Sequence, residues 1–195
     1  MVWASASGAV WTVAGLEGPA SERLLRVDPS DISTADAGPA GAALNGLIEL
    51  DGSRLLLRGS DTGDPSSRVD TVGPHSDRSS TTSGAPIGLR HGVREAVAIG
   101  RALVLADWSG SSPEGRSLAV MDRRTLEASG SIAVDGVPCA IAATGRWLLA
   151  VDRSGGRLLV VDPETRMTVG SVHLGVRDLA YSQVVVVPAA TVSGG

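Results

Sequence analysis

The sequence has no lysine and no phenylalanine, and it has a single cysteine and only 3% aromatic residues. All 17 basic residues are therefore arginines, and the formal net charge is -4. Binding to a phosphate backbone needs clustered cationic side chains, and no basic stripe is present, so we expect no nucleic-acid partner. The lone Cys139 excludes an internal disulfide and a cysteine-rich metal site, and we expect it to be a small buried residue.

Long apolar runs are missing as well. No stretch approaches the roughly 18 to 20 apolar residues that span a bilayer, so we predict no membrane span. The first residues show no charged segment followed by an apolar run, so no signal peptide is visible and the localisation stays open. Hydrophobic residues nevertheless make up 43% of the chain, enough to bury a core, and 25 glycines with 10 prolines are typical of a turn-rich all-β protein.

The main positive feature is an internal repeat. In residues 145–162 an apolar strand, a short glycine-containing turn and a second apolar strand end at Asp162. Residues 100–122 repeat this order and end at Asp122, 40 residues earlier. An aspartate that begins a turn accepts hydrogen bonds from the backbone N–H groups ahead of it, so we predict that these residues shape the turns.

Two weaker copies precede this pair. Their strands end at Asp28 and Asp70, so the four aspartates are spaced by 42, 52 and 40 residues. Turns that begin at Gly92, Gly136 and Gly175 each open a further short segment that leads toward the next strand. The predicted units cover residues 8–51, 52–99, 100–144 and 145–183.

Each unit contains about four short strands in roughly 40 to 50 residues, which is the size of a β-propeller blade. Leucine-rich repeats are too short to match, and no helical apolar period is sustained. The sequence therefore predicts an all-β fold of four-stranded antiparallel blades, incomplete or part of a larger propeller.

Residues 159–165, Leu-Val-Val-Asp-Pro-Glu-Thr, give this prediction a family context. They resemble the strand and turn pattern of the YVTN-type and quinoprotein-like propeller repeats of bacteria. The resemblance covers the last two units well and the first two poorly. It implies a propeller fold and leaves the activity open, because propellers host many unrelated functions.

The repeat is irregular in the middle and open at both ends. Residues 59–86 are rich in Ser, Thr, Asp, Gly and Pro, and we interpret them as a loop that replaces the third strand of the second unit, or as a linker. Residues 2–7 resemble the last strand of a preceding blade, and residues 184–188 resemble the first strand of a following one. Open sheet edges invite pairing, so we expect a larger propeller or self-association through those edges.

Catalytic and metal-binding patterns are not visible. His75, His91 and His173 have no metal-ligand spacing, and the aspartates fall mostly at turns, so we predict no metal, no cofactor and no catalytic residues. The alternative is a fragment of a propeller enzyme, such as a lyase, a lactonase or a quinone-dependent dehydrogenase, whose site is completed by missing blades. A truncated reading frame without a stable fold is a third hypothesis.

The favoured hypothesis is a non-catalytic binding or scaffold module that acts through the loops at the ends of its blades. Trp108 follows a strand and enters a loop with Ser109, and an exposed tryptophan is a suitable binding anchor. We therefore predict that Trp108 and Ser109 contact the partner, which is a protein or a small molecule of unknown identity.

Overall fold

The computed structural model describes residues 2–4, 10–14, 23–39, 44–50, 53–58, 68–72, 93–107 and 116–176. Within these ranges the chain forms β-strands and turns and no helix.

The strands form four antiparallel sheets. The first sheet contains β1 (Val2–Ala4), β2 (Val10–Ala14), β3 (Arg23–Asp28) and β4 (Ser33–Pro39). The second contains β5 (Leu44–Leu50), β6 (Ser53–Arg58) and β7 (Arg68–Val72). The third contains β8 (Val93–Ile99), β9 (Ala102–Asp107), β10 (Ser117–Asp122) and β11 (Ala128–Ala133). The fourth contains β12 (Pro138–Thr144), β13 (Trp147–Asp152), β14 (Arg157–Asp162) and β15 (Met167–His173).

Each sheet is an up-and-down meander in which neighbours along the chain are neighbours in the sheet. The first strands of consecutive sheets contact one another: β1 with β5, β5 with β8, and β8 with β12. The sheets therefore meet along their first strands, and their last strands form the outer edges. This radial arrangement confirms the predicted class of four-stranded antiparallel blades.

Alternation along β9 explains why the third sheet can pack on both faces. Successive side chains of a strand point to opposite faces of a sheet. Leu103 and Leu105 face the second sheet, where they pack with Ile48. Val104 and Ala106 instead join the core between the third and fourth sheets. Both faces of this sheet are thus apolar.

The larger core lies between the third and fourth sheets. It contains fully buried side chains from both, among them Leu118, Ile132, Leu148, Leu159 and Val161. Burial of each such side chain contributes roughly 1.5 to 3 kcal/mol, so this interface holds the two sheets in fixed relation. Leu103 and Leu148 occupy the same repeat position, and each packs toward the preceding sheet.

The sheets are offset by one strand from the units that the sequence suggested. Ile99 pairs with Ala102 across a two-residue turn, so β8 belongs with β9, although the predicted units place a boundary between them. Likewise β1 pairs with β2 in the first sheet, where the sequence suggested a strand of a preceding blade. The second sheet has three strands in the described part of the chain, and residues 59–67 and 73–92 lie outside that part.

Candidate functional site

A cleft of about 640 Å³ opens between the third and fourth sheets. Four turns surround it, namely those that join β8 to β9, β10 to β11, β12 to β13 and β14 to β15. We call it the turn cleft and define it by Ile99, Arg101, Met121, Arg146 and Arg166 among its lining residues. Its volume lies in the range of pockets that bind small molecules.

Two of the turns repeat the same dipeptide, Gly-Arg. Gly100 and Gly145 have φ values of +56° and +55°, a left-handed conformation that glycine adopts without strain. A glycine of this kind at the first position suits a two-residue hairpin turn. The residue after it is thereby held at the tip of the turn, which leaves Arg101 and Arg146 exposed at the rim of the cleft.

The turn between β10 and β11 is shaped by Asp122. Its Oδ1 accepts hydrogen bonds from the backbone N–H groups of Arg124 and Thr125 at 2.8 and 3.0 Å. These two hydrogen bonds, with that from Thr125 the larger, hold the pKa of Asp122 below its usual range, and the nearby Arg101 adds to the effect. Asp122 is therefore an anion at the cleft, with one oxygen engaged by its own turn.

The same turn chemistry recurs in two other sheets. Asp162 accepts from the N–H groups of Glu164 and Thr165, and Asp28 accepts from the N–H and hydroxyl of Ser30. The prediction that strand-ending aspartates shape the turns is confirmed at these positions and at Asp122. In these turns the fourth residue after the aspartate has a positive φ, although none of the three is glycine: Ile32, Leu126 and Arg166.

Arg166 closes the outer side of the cleft. From the turn after β14 it donates a hydrogen bond of 3.1 Å to the backbone carbonyl of Ser129 in β11. The Ser129 hydroxyl in turn donates to the carbonyl of Val120. The contact between Arg166 and Ser129 links the two sheets at their outer strands, so the walls of the cleft are held on the outside as well as by the core.

The floor of the cleft is apolar and its rim is charged. Ile99 and Val120, buried side chains of the core between the third and fourth sheets, line it, whereas the Met121 side chain packs on the opposite face of the third sheet. Arg146 lies over the ring of Trp147, with the guanidinium carbon 4.2 Å from the ring centroid. Trp147 alternates with Leu148, which belongs to the core between the two sheets, so the stacked guanidinium lies toward the other face of the fourth sheet. The cleft thus joins an apolar floor to a rim that carries both arginines and carboxylates.

A buried charge network lies at the other end of the fourth sheet. The Asp152 side chain is 0% exposed and accepts hydrogen bonds from the Val137 N–H, the Ser154 N–H and hydroxyl, and the Arg157 guanidinium. Burial raises the pKa of Asp152, but the hydrogen bonds together outweigh burial and the pKa lies below its usual value. Arg157 also donates to the Asp135 carbonyl and carboxylate. This network ties the β13–β14 turn to the segment that enters the sheet.

Several residues singled out from the sequence do not belong to the cleft. Trp108 and Ser109, the predicted partner contacts, lie outside the described residues, as do His75 and His91. His173 ends β15 as an exposed residue.

Cys139 was expected to be buried, and it is half-buried in β12, between the buried residues Pro138 and Ala140. Within the described ranges, no group of three or more His, Cys, Asp or Glu side chains is placed to hold a metal. In those ranges there is also no helix with the length and apolarity needed to cross a membrane.

The cleft arginines were not identified from the sequence. Arg101 and Arg146 were visible as equivalent positions of the repeat, each after a glycine, and that recurrence was the available signal. Arg166 carried no comparable signal, because its place beside Ser129 depends on how two sheets pack.

Comparison with solved structures places this architecture in a known class of fold. The Neurospora crassa Pan2 WD40 domain matches at 10% identity with a TM-score of 0.56, over 83% of this chain and 48% of that one. A chain of a nidogen/laminin complex matches at 11% identity with a TM-score of 0.59, over 85% of this chain and 59% of that one. The chain therefore has the fold of β-propeller blades and spans roughly half the length of these two structures.

Sequence comparisons give no closer relative. No protein-family model matches the chain, and no curated protein sequence matches it.

Proposed function

We propose that this chain is a non-catalytic β-propeller module that binds a partner through the turns and loops at the ends of its sheets. The single observation that carries the proposal is the turn cleft: an apolar floor and a charged rim, assembled from four turns of two sheets. The sheets are held together by their own core, so the turns are available for recognition. Loops positioned by a rigid scaffold are the usual sites of binding.

Two finer points belong to the same proposal. The first is a relationship to the YVTN-type or quinoprotein-like repeats of bacteria, which rests on residues 159–165. The second is a contribution of Trp108 and Ser109 to partner binding. It rests on the position of this pair directly after Asp107, the last residue of β9.

The test uses the ¹⁵N-labelled chain and a panel of capped tetrapeptides with acidic, neutral and basic side chains beside a leucine. We expect at least one peptide to shift the amide signals of residues 99–102 and 144–147, because those turns surround the cleft. The variant Ala102→Leu adds volume inside the cleft, so it should lower the affinity for that peptide several-fold. Trp108→Ala combined with Ser109→Ala should lower the affinity for a partner that uses the neighbouring loop. The melting temperature of the chain should stay unchanged.

The proposal is wrong if no peptide in the panel shifts these signals at millimolar concentration while the spectrum stays that of a folded protein. A loss of folding in Trp108→Ala with Ser109→Ala would overturn the assignment of that pair to a binding loop.

A further inference from the structure

Ile32 is an apolar residue in an exposed and disfavoured position. It lies in the turn between β3 and β4, its side chain is 82% exposed, and its φ is 60°. A β-branched side chain crowds the backbone in this left-handed conformation. Since one copy of the chain leaves this side chain in solvent, we looked for a surface that would cover it.

The same turn position is directed toward the preceding sheet in the third and fourth sheets. Leu126, the fourth residue after the turn aspartate, packs on the face of the third sheet that meets the second. Arg166, at the same position of the fourth sheet, donates to the Ser129 carbonyl of the third. In the described part of the chain the first sheet has no sheet before it, so Ile32 faces the place that such a sheet would take.

The fourth sheet carries the matching seat. Val169 in β15 is equivalent to Ser129 in β11, since each is the extra residue of a bulge beside the preceding strand. Ser129 contacts Arg166 of the following sheet, whereas Val169 is 53% exposed. A Cβ on Gly130 would meet the Arg166 guanidinium, but a Cβ on Gly170 would have nothing within 4 Å. The seat is therefore filled on the third sheet and open on the fourth.

The rest of this open face is apolar in the same pattern as a buried one. Val172 pairs with Leu158 as Ile132 pairs with Leu118. Ile132 is 1% exposed in the core between the third and fourth sheets, whereas Val172 is 56% exposed. Ile32 and this face are both exposed in one copy, so they do not cover each other within it.

We propose that two copies of this chain associate head to tail, with Ile32 in the first sheet of one copy seated on Val169 in the fourth sheet of the other. The chain presents both halves of the contact, so a second copy supplies each complement. An isoleucine and a valine take the places that Arg166 and Ser129 hold within the chain. Two such contacts close a pair of copies into a ring of eight sheets, a number found in closed propellers.

Analytical ultracentrifugation of the full chain measures the dissociation constant of the pair. Ile32→Glu and Val169→Glu should each raise this constant about tenfold or more, because each places a charge against an apolar side chain. Glutamate is not β-branched, so Ile32→Glu should not destabilise the turn, and melting temperatures check the folding of each variant. Arg124→Glu, in the equivalent turn of the third sheet, is the matched control that should leave the constant unchanged.

A charge pair tests the contact between the two positions directly. Ile32→Arg alone should weaken the pair, as Val169→Glu does. A chain that carries both substitutions should regain most of the lost affinity, because each arginine then faces a glutamate of the other copy. Raising the salt to about 0.5 M should weaken the doubly substituted pair more than the native one.

Three results would overturn the proposal. The first is a native chain that is monomeric at tens of micromolar. The second is association that Val169→Glu weakens and Ile32→Glu does not, since the fourth sheets would then meet face to face. The third is a folded double variant that regains no affinity, which would exclude contact between Ile32 and Val169. The turn cleft is a different surface, so its binding function stands or falls by its own test.

Discussion

Arg157 donates two hydrogen bonds to the same oxygen of Asp152, from Nε at 3.0 Å and from a terminal nitrogen at 2.8 Å. Asp152 is the last residue of β13 and Arg157 the first of β14, so the pair closes the turn between two central strands. Asp152 is fully buried while Arg157 is partly exposed. The ionised carboxylate is thus surrounded by donors, and the arginine keeps contact with water.

The first prediction concerns the charge of Asp152. Asp152→Asn keeps the size of the side chain but removes the charge that Arg157 and two backbone N–H groups require. We expect a loss of about 2 to 4 kcal/mol in the free energy of unfolding, measured by urea denaturation.

Asp162→Asn is the matched control for that measurement. Asp162 ends the next strand and accepts turn N–H groups with Oδ1, which the amide oxygen of asparagine also does. Asp162→Asn should therefore lower the free energy of unfolding by less than about 1 kcal/mol. Equal losses in the two variants would show that the charge of Asp152 stabilises the fold no more than that of an aspartate in an ordinary turn.

The second prediction concerns pH. The hydrogen bonds to Asp152 hold its pKa in the folded protein below the value of about 3.9 expected for the unfolded chain. The folded state therefore binds the proton less readily, so the stabilisation is complete above about pH 4 and is lost as the pH falls through the folded-state pKa. Urea denaturation between about pH 6 and pH 3 measures the difference in free energy of unfolding between the native chain and Asp152→Asn. This difference should become smaller as the pH falls. A difference that stays constant contradicts the lowered pKa.

The third prediction concerns two glycines of the fourth sheet and its entrance. A Cβ placed on Gly136 would collide with the Asp152 carboxylate, which its hydrogen bonds hold in place. Gly136→Ala should therefore lower the free energy of unfolding by about 1 to 3 kcal/mol. In contrast, a Cβ on Gly170 in β15 would have nothing within 4 Å, so Gly170→Ala should be neutral or slightly stabilising. Thermal unfolding of both variants tests this, and a neutral Gly136→Ala would refute the close approach.

The fourth prediction concerns the face of the fourth sheet that points away from the core. Leu158 pairs with Val172, while their neighbours Leu159 and Ser171 lie on the core face. Val172 is 56% exposed although it is apolar. In a propeller such a face is covered by the next sheet, so we expect this chain to associate with a second copy or to require further blades.

Light scattering coupled to size exclusion measures that association. A dimer mass is expected for the native chain, and Val172→Glu should shift it toward the monomer. Ser171→Glu, on the opposite face of the same strand, is the control that should leave the mass unchanged. A monomeric native chain at tens of micromolar would exclude association with a second copy.

Local sequence determined the strands and several of their turns. The apolar run before Asp162 and the Pro-Glu-Thr after it were enough to predict a strand that ends in an aspartate-shaped turn, since both depend on neighbours within a few residues. The propeller class followed from the length of the repeat together with its strand count, because few folds build four strands from some forty residues.

The tertiary structure decided which strands share a sheet, and which side chains meet between sheets. Periodicity says that a strand exists but is silent about its partner, so the placement of β8 beside β9 required the pairing of Ile99 with Ala102. The meeting of Arg166 with Ser129, 37 residues apart, depends on the packing of two sheets, as does the cleft beside them. Contacts of this kind are fixed by the burial of the shared core, which no short stretch of sequence contains.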